Sequence, residues 1–132
     1  MRRLAVAAVA LAASRAGAAA YTPAVDFALE CQGCHRADGA ETPGSVPGLA
    51  GSVAQFLGVP GGREYLVRVP GVAQAPLDDA ALAAVLNWML ARYDAANLPS
   101  DFVPYTADEV RRLRRHPLTD VDAVRKALLA GR

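Results

Sequence analysis

The chain has 132 residues, 53% of them hydrophobic and 20% charged, and its formal net charge is +1 at pH 7. A chain of this length favours one small domain. The near balance of charges argues against strong nucleic-acid binding, which needs an excess of cations to neutralise phosphates.

The first twenty residues have the pattern of a secretory signal peptide. Arg2 and Arg3 give a positive start, an apolar run covers residues 4–13, and alanines at 18–20 offer a cleavage site. The run is too short to span a bilayer, although a retained membrane anchor is the alternative because Arg15 lies close to the cleavage site. Cleavage removes three arginines from 14 Lys+Arg and leaves 13 Asp+Glu, so the mature chain is about −2. We expect a soluble periplasmic protein.

A first helix is predicted from Pro23 to Cys34. Pro23 suits the opening turn of a helix. Phe27 lies one helical turn before Cys31, so that the two side chains share a face.

Residues 31–35 read Cys-Gln-Gly-Cys-His, which is the pattern of covalent c-type haem attachment. The thiols of Cys31 and Cys34 add to the two vinyl groups of one porphyrin, and His35 follows directly to bind the iron as its proximal ligand. Gly33 allows the backbone between the cysteines to lie close to the macrocycle. The pattern predicts one covalent haem c per chain.

Three other interpretations of the cysteine pair fit less well. A structural zinc site needs four ligands, but there is no second cysteine pair, and the one other histidine is His116. A thioredoxin-like redox pair follows a strand, whereas the residues before Cys31 look helical. An ordinary disulfide would leave His35 unexplained.

Loops and short helices are predicted after the motif. Residues 36–48 are rich in Gly, Pro, Ser and Thr and predict a loop, as do residues 69–76. A short helix is expected at 52–57. Asp78 is a plausible cap for a long helix over 79–93, whose apolar stripe comprises Leu82, Val85, Leu86, Met89 and Tyr93.

The sequence over residues 23–93 resembles the class I monohaem cytochromes c. Phe27 occupies the place of an aromatic residue four positions before the first cysteine of that family. Pro47 matches a proline about a dozen residues after the haem histidine, and residues 46–51 are similar to the stretch that follows the haem site. The resemblance implies an all-α, small cytochrome c-like helical fold around a covalent haem.

The same resemblance implies roles for four further residues. The Pro47 carbonyl would accept the Nδ1 proton of His35 and make the imidazole a better donor to iron; the alternative is that Pro47 is only a turn residue. Trp88 would supply an aromatic contact near the end of the long helix. Phe27, Leu49 and Trp88 would pack around the haem, exclude water and tune its potential. Residues 64–67 would form the short helix that leads to the distal side.

The sixth iron ligand is where the sequence departs from the family. Family members take a methionine from the loop before the last long helix, but residues 69–77 contain none. Met89, inside the long helix, is the favoured candidate, although a lone methionine at helical spacing is also an ordinary core residue. His116 and an open or water-bound position are the alternatives.

The chain continues beyond the part that resembles the family. Thr106 and Glu109 form a capping box that opens a helix to about His116, and Thr119 or Asp120 begins another. We therefore divide the chain into a signal peptide at 1–20, a haem domain at 21–94 and a two-helix C-terminal extension at 95–132, whose role the sequence does not indicate.

The extension also carries the one cluster of positive charge, formed by Arg111, Arg112, Arg114, Arg115 and His116. A solvated helix face is one interpretation, since cations are favoured near a helix C-terminus. The other is a docking patch for an acidic partner.

The favoured function is that of an electron carrier rather than an enzyme, passing single electrons between a periplasmic dehydrogenase and a terminal oxidase or reductase. One alternative is a haem protein with an open distal site that binds a small gas or reduces peroxide. Another is a haem subunit tied to one enzyme complex, with the extension as its docking element.

Overall fold

The computed structural model describes residues 21–131, so the predicted signal peptide at 1–20 lies outside the described residues. Isolated pairing between Thr42 and Val46 is the only β contact in this range, and no helix in it is long and apolar enough to cross a membrane. The all-α prediction is therefore confirmed. The helices are α1 (Pro23–Glu30), α2 (Gly62–Arg68), α3 (Pro70–Ala73), α4 (Asp79–Asp94), α5 (Ala107–Leu113) and α6 (Val121–Ala130), with 3₁₀ helices at Ala54–Gly58 and Ala95–Asn97.

Side-chain caps define where four of these helices begin. Each capping side chain accepts a hydrogen bond from the backbone N–H three residues later, which satisfies one of the unpaired donors of the first turn. The caps at Asp78, Thr106 and Asp120 confirm sequence predictions, and Thr22 caps α1 in the same way.

Two helix ends and one predicted loop differ from the predictions. Helix α1 ends at Glu30 instead of residue 34, and the motif continues in turns in which the His35 N–H donates to the Cys31 carbonyl at 2.9 Å. Helix α5 ends at Leu113 rather than near 116. The predicted loop at 69–76 contains the one-turn helix α3, because Pro70 stands at its first position, where proline suits a helix.

Helix α4 lies at the centre of the core. It packs against α1 and α5, and the stripe predicted for it is buried throughout. Among the largest fully buried side chains are Val67 of α2 and Val110 of α5, each 0% exposed, together with Phe27, Leu82, Leu86 and Leu90. The residues after 94 therefore share one core with those before it.

Polar contacts join the C-terminal residues to the same core. The Asn87 side chain donates to the Tyr105 carbonyl at 3.0 Å and accepts from the Tyr105 N–H at 2.8 Å. The Tyr105 hydroxyl donates to the Arg63 carbonyl at 2.8 Å, and the Arg63 guanidinium makes two hydrogen bonds to the Glu109 carboxylate at 2.6 and 2.8 Å. The bonds of Glu109 hold α5 against α2, and those of Tyr105 hold the segment just before α5 against α2 and α4.

Candidate functional site

The cysteine pair follows directly on α1 and lies near the surface. Cys31 is half-buried and Cys34 is exposed, and both are free thiols. Burial raises the pKa of Cys31 to about 11, and the negative charges of Glu30 and Asp26 add to the effect. Within residues 21–131, no group of three or more histidine, cysteine or acidic side chains is placed to hold a metal ion. The structure thus offers no zinc cluster around these thiols.

The Nδ1 atom of the His35 ring lacks a hydrogen-bond partner among the described residues. This atom is also buried. Burial lowers the pKa of His35, which favours the neutral imidazole, the form that binds metals. The hydrogen bond to the Pro47 carbonyl that the resemblance implies is not formed, although both residues line one cavity. The proposed role of Pro47 therefore stays a prediction.

That cavity measures about 320 Å³ and opens beside His35. Pockets of this size and larger, with mostly apolar walls and a few placed polar groups, are typical of cofactor sites. Its walls come from the loop at 45–49, the 3₁₀ helix Ala54–Gly58 with Val53 before it, and helices α2, α3, α4 and α6. The apolar lining residues are Val46, Pro47, Leu49, Val53, Phe56, Leu66, Val69, Val72, Leu86, Met89 and Val121.

Of the two side chains predicted as sixth ligands, only Met89 reaches this cavity. It lies on α4 one helical turn beyond Leu86, is 8% exposed and lines the same cavity as His35. His116 is exposed and is not among the lining residues; its carbonyl accepts a hydrogen bond from Arg68 Nε at 2.7 Å. The fold therefore brings together the predicted proximal residue and the favoured sixth ligand.

The predicted aromatic residues form a cluster of their own between α1 and α4. Ring centroids of Phe27 lie 5.3 Å from Trp88 and 5.4 Å from Tyr93, and those of Trp88 and Tyr93 are 5.8 Å apart. These are favourable distances for tilted and edge-on aromatic pairs. Leu49 lines the cavity, but Phe27 and Trp88 do not. Their cluster packs α1, which ends directly before the motif, against α4. Their contact with a haem stays a prediction.

The loop that carries Pro47 and Leu49 is held against α4 by a glycine. Gly39 has a φ of +74°, and its carbonyl accepts hydrogen bonds from the N–H groups of Leu49 at 2.7 Å and Ala50 at 3.0 Å. A Cβ at this position would lie 2.5 Å from Cδ1 of Tyr93. The Tyr93 ring therefore packs directly on the backbone of Gly39, and this contact fixes the position of the loop that forms one wall of the cavity.

The sequence predictions missed the wall that α6 contributes. Val121, Asp122 and Arg125 of this helix line the cavity. The signal was present, because Arg125 falls on the same helical face as Val121 and Leu128, where a charged residue interrupts an apolar stripe.

The arginine cluster divides into exposed and structural members. Arg114 is half-buried, and its guanidinium donates to the carbonyls of Ala73, Ala75 and Leu77 and to the Asp79 carboxylate. The exposed side chains are those of Arg111, Arg112, Arg115 and His116. The solvated face predicted for the cluster therefore excludes Arg114, which ties α5 to the segment before α4.

Two known proteins are similar to this chain over most of its length. Cytochrome c-552 of Thermus thermophilus is 40% identical over an alignment of 119 positions, and the match covers 75% of this chain and 91% of that protein. Cytochrome c-552 of Thermus thermophilus strain ATCC 27634 is also 40% identical over an alignment of 119 positions, and that match covers 75% of this chain and 80% of that protein. No family model matches the chain.

Proposed function

Since the chain belongs to the class I c-type cytochromes, which are haem-based electron carriers rather than enzymes, we propose that its haem is bound covalently through Cys31 and Cys34. The observation that supports this most directly is the cavity that both His35 and Met89 line. The bound group would supply the one-electron chemistry of its iron. One motif in the sequence corresponds to one haem per chain.

The side chains around the cavity fit such a group. His35 offers a neutral imidazole, and its unpaired Nδ1 is the atom that a carbonyl must satisfy when the other nitrogen binds iron. Pro47, on the same cavity, is our candidate for that carbonyl. The mostly apolar lining suits a flat apolar macrocycle and excludes water from its faces.

Met89 is the sixth ligand that we propose. Its thioether is a soft donor, which favours ferrous iron and raises the reduction potential. Since Met89 belongs to the long helix α4 and not to a loop, its backbone is held by the core on both sides. A ligand held on such an element would have little freedom to move, which would suit electron transfer.

We further propose that the protein is exported to the periplasm after cleavage near residue 20. There it would carry electrons between a dehydrogenase and a terminal oxidase or reductase. The positive, apolar and small-residue regions of residues 1–20 support export. The haem domain would comprise residues 21–94, and residues 95–132 would form an extension that completes its core.

Covalent attachment is tested on a denaturing gel. Thioether bonds survive denaturation, so the haem should remain with the polypeptide and stain for peroxidase activity. Either Cys31→Ala or Cys34→Ala should weaken the stain, and the double variant should abolish it. Haem that leaves the unmodified chain on acid extraction would refute covalent attachment.

The Met89 ligand is tested by visible spectra of the ferric and ferrous protein, with and without carbon monoxide. Unmodified protein should be low-spin in both states and slow to bind carbon monoxide. Met89→Leu keeps a similar volume but cannot ligate, so it should open the site and lower the potential. His116→Gln is the control and should change neither the carbon monoxide binding nor the reduction potential.

The opposite result would favour a second function. The segment that supplies the family's methionine has none here, over residues 69–77, and this observation supports an open distal site. If unmodified protein binds carbon monoxide readily and Met89→Leu alters neither spectrum nor potential, Met89 is a packing residue. A protein that binds a small gas or reduces peroxide would then be the better description.

A further inference from the structure

The cavity beside His35 has one basic side chain in an otherwise mostly apolar wall. Arg125 of α6 is half-buried and lines the cavity together with Val121 of the same helix. The stem of such an arginine can pack on apolar neighbours, but its guanidinium loses solvation, which is costly unless a hydrogen-bonding or charged partner meets it. The guanidinium of Arg125 therefore needs an anionic or hydrogen-bonding partner at this position.

The described residues supply no anionic partner for this guanidinium. They contain four ion pairs, and Arg125 belongs to none of them. Its contact is with the ring of Phe56, whose centroid lies 5.9 Å from the guanidinium carbon. This distance is within the range of cation–π attraction, which holds the group in place and leaves its N–H donors available.

Other titratable groups lie on the same walls. Asp122 is exposed in the first turn of α6, where the helix dipole favours a carboxylate. Tyr65 faces α6 from α2; burial raises the pKa of its hydroxyl, and the positive charge of Arg125 opposes this shift. The guanidinium of Arg125 and the hydroxyl of Tyr65 thus lie close enough to interact electrostatically. His35 is the remaining titratable residue of the lining.

We infer that Arg125 binds a haem propionate, so that the C-terminal extension contributes the counter-charge of the cofactor. This inference rests on the proposed seating of haem in the cavity. A haem has an apolar macrocycle with two carboxylates on one edge, and placing a carboxylate against an apolar wall is costly unless a cation meets it. The guanidinium fork matches a carboxylate with two parallel hydrogen bonds.

The consequence is a reduction potential that depends on the last helix. A cation beside the propionate lowers the propionate pKa and makes the site less favourable for ferric iron. Its removal should therefore lower the potential. The potential falls over the pH range in which the propionate loses its proton. Without the cation the propionate pKa would be higher, so removal of Arg125 should move this fall in potential to a higher pH, closer to neutral.

The experiment compares the holoproteins of Arg125→Gln, Arg125→Lys and Lys126→Gln. Lys126 is exposed on the same helix, so the last variant removes an equal charge next to the site without emptying it. Potentials are measured by redox titration from pH 5 to 9. Arg125→Gln should shift the reduction equilibrium about tenfold towards the ferric form, or about 59 mV for one electron. Arg125→Lys should recover part of the shift.

Two outcomes separate this inference from the proposed function. If all three holoproteins carry covalent haem but Arg125→Gln and Lys126→Gln give the same potential and pH profile, the propionate contact is refuted and haem binding stands. If unmodified protein fails to attach haem at all, the proposed function itself fails. A shift specific to Arg125→Gln, with helix content unchanged by circular dichroism, supports the contact.

Discussion

Replacement of Arg114 by glutamine should destabilise the protein more than any other change in the arginine cluster. The Arg114 side chain is only 17% exposed. It donates to the carbonyls of Ala73 at 3.0 Å, Ala75 at 2.6 Å and Leu77 at 2.8 Å, and to the Asp79 carboxylate at 3.2 Å. It therefore holds the segment between α3 and α4 against α5.

The magnitude follows from which acceptors water can reach once the guanidinium is gone. Leu77 and Asp79 are partly exposed, so water can replace the two bonds made to them. Ala73 and Ala75 are only 5% and 7% exposed, and their carbonyls lose a charged donor. Each such bond contributes about 1.5–3 kcal/mol. Because the bonds share one group, their energies are not strictly additive, and we expect a loss of about 3–5 kcal/mol in the free energy of unfolding.

The assay is urea unfolding of the holoprotein at pH 7, followed by far-ultraviolet circular dichroism. Arg115→Gln is the matched control, since Arg115 is the exposed neighbour of Arg114 and its loss should cost less than about 0.5 kcal/mol. Arg114→Lys keeps the charge but lacks the planar fork, so it should restore part of the loss.

The reasoning would be wrong if Arg114→Gln and Arg115→Gln had the same unfolding free energy within error. It would also be wrong if Arg114→Lys were fully stable, because a single charge without the directed donors would then suffice. A change in the slope of the urea dependence would instead mean that the variant alters the compactness of the folded or unfolded state.

Three further changes test the packing of the loop, the extension and its ion pair. Gly39→Ala should cost at least about 2 kcal/mol, since it forces alanine into a left-handed conformation and onto the Tyr93 ring; thermal unfolding measures this. Val110→Ala should lower the stability of the whole protein by about 2 kcal/mol, in a single transition, because Val110 is wholly buried. The hydrogen bond from Arg63, more than the attraction of its charge, lowers the pKa of Glu109 below the usual 4.5. The stabilisation that the ionised Glu109 gives to the fold should thus be complete above pH 4.5 and lost as the pH falls through the lowered pKa. The difference in unfolding free energy between unmodified protein and Glu109→Gln should therefore shrink below pH 4.5.

For each of these three variants, one result would contradict the expectation. A stable Gly39→Ala variant would show that the loop can move away from Tyr93. Two separate unfolding transitions in Val110→Ala would make the extension an independent unit instead of part of one core. For Glu109→Gln, a stability difference that does not change between pH 7 and pH 3 would mean that the ion pair with Arg63 contributes nothing.

Local signals in the sequence determined the helices and the attachment motif. Asp78, Thr106 and Asp120 cap helices because each acceptor lies three residues from its donor, and the stripe on α4 is set by helical periodicity. The cysteines and His35 are neighbours along the chain, so their chemistry can be inferred without a fold. The helix α3 was missed because Pro70 and Gly71 suggest a loop as readily as the start of a helix.

Contacts between distant residues were decided only by the tertiary structure. Arg114 reaches Ala73 across 41 positions, so no local pattern could separate it from its exposed neighbours in the cluster. Likewise, periodicity places Met89 on an apolar face, but only the packing of the helices brings that face, and not His116, to the cavity beside His35. The position of Arg125 on the cavity wall depends on α6 folding back over α2. Such contacts arise from how helices pack in three dimensions, whereas caps and periodicity are set within a turn or two of one helix.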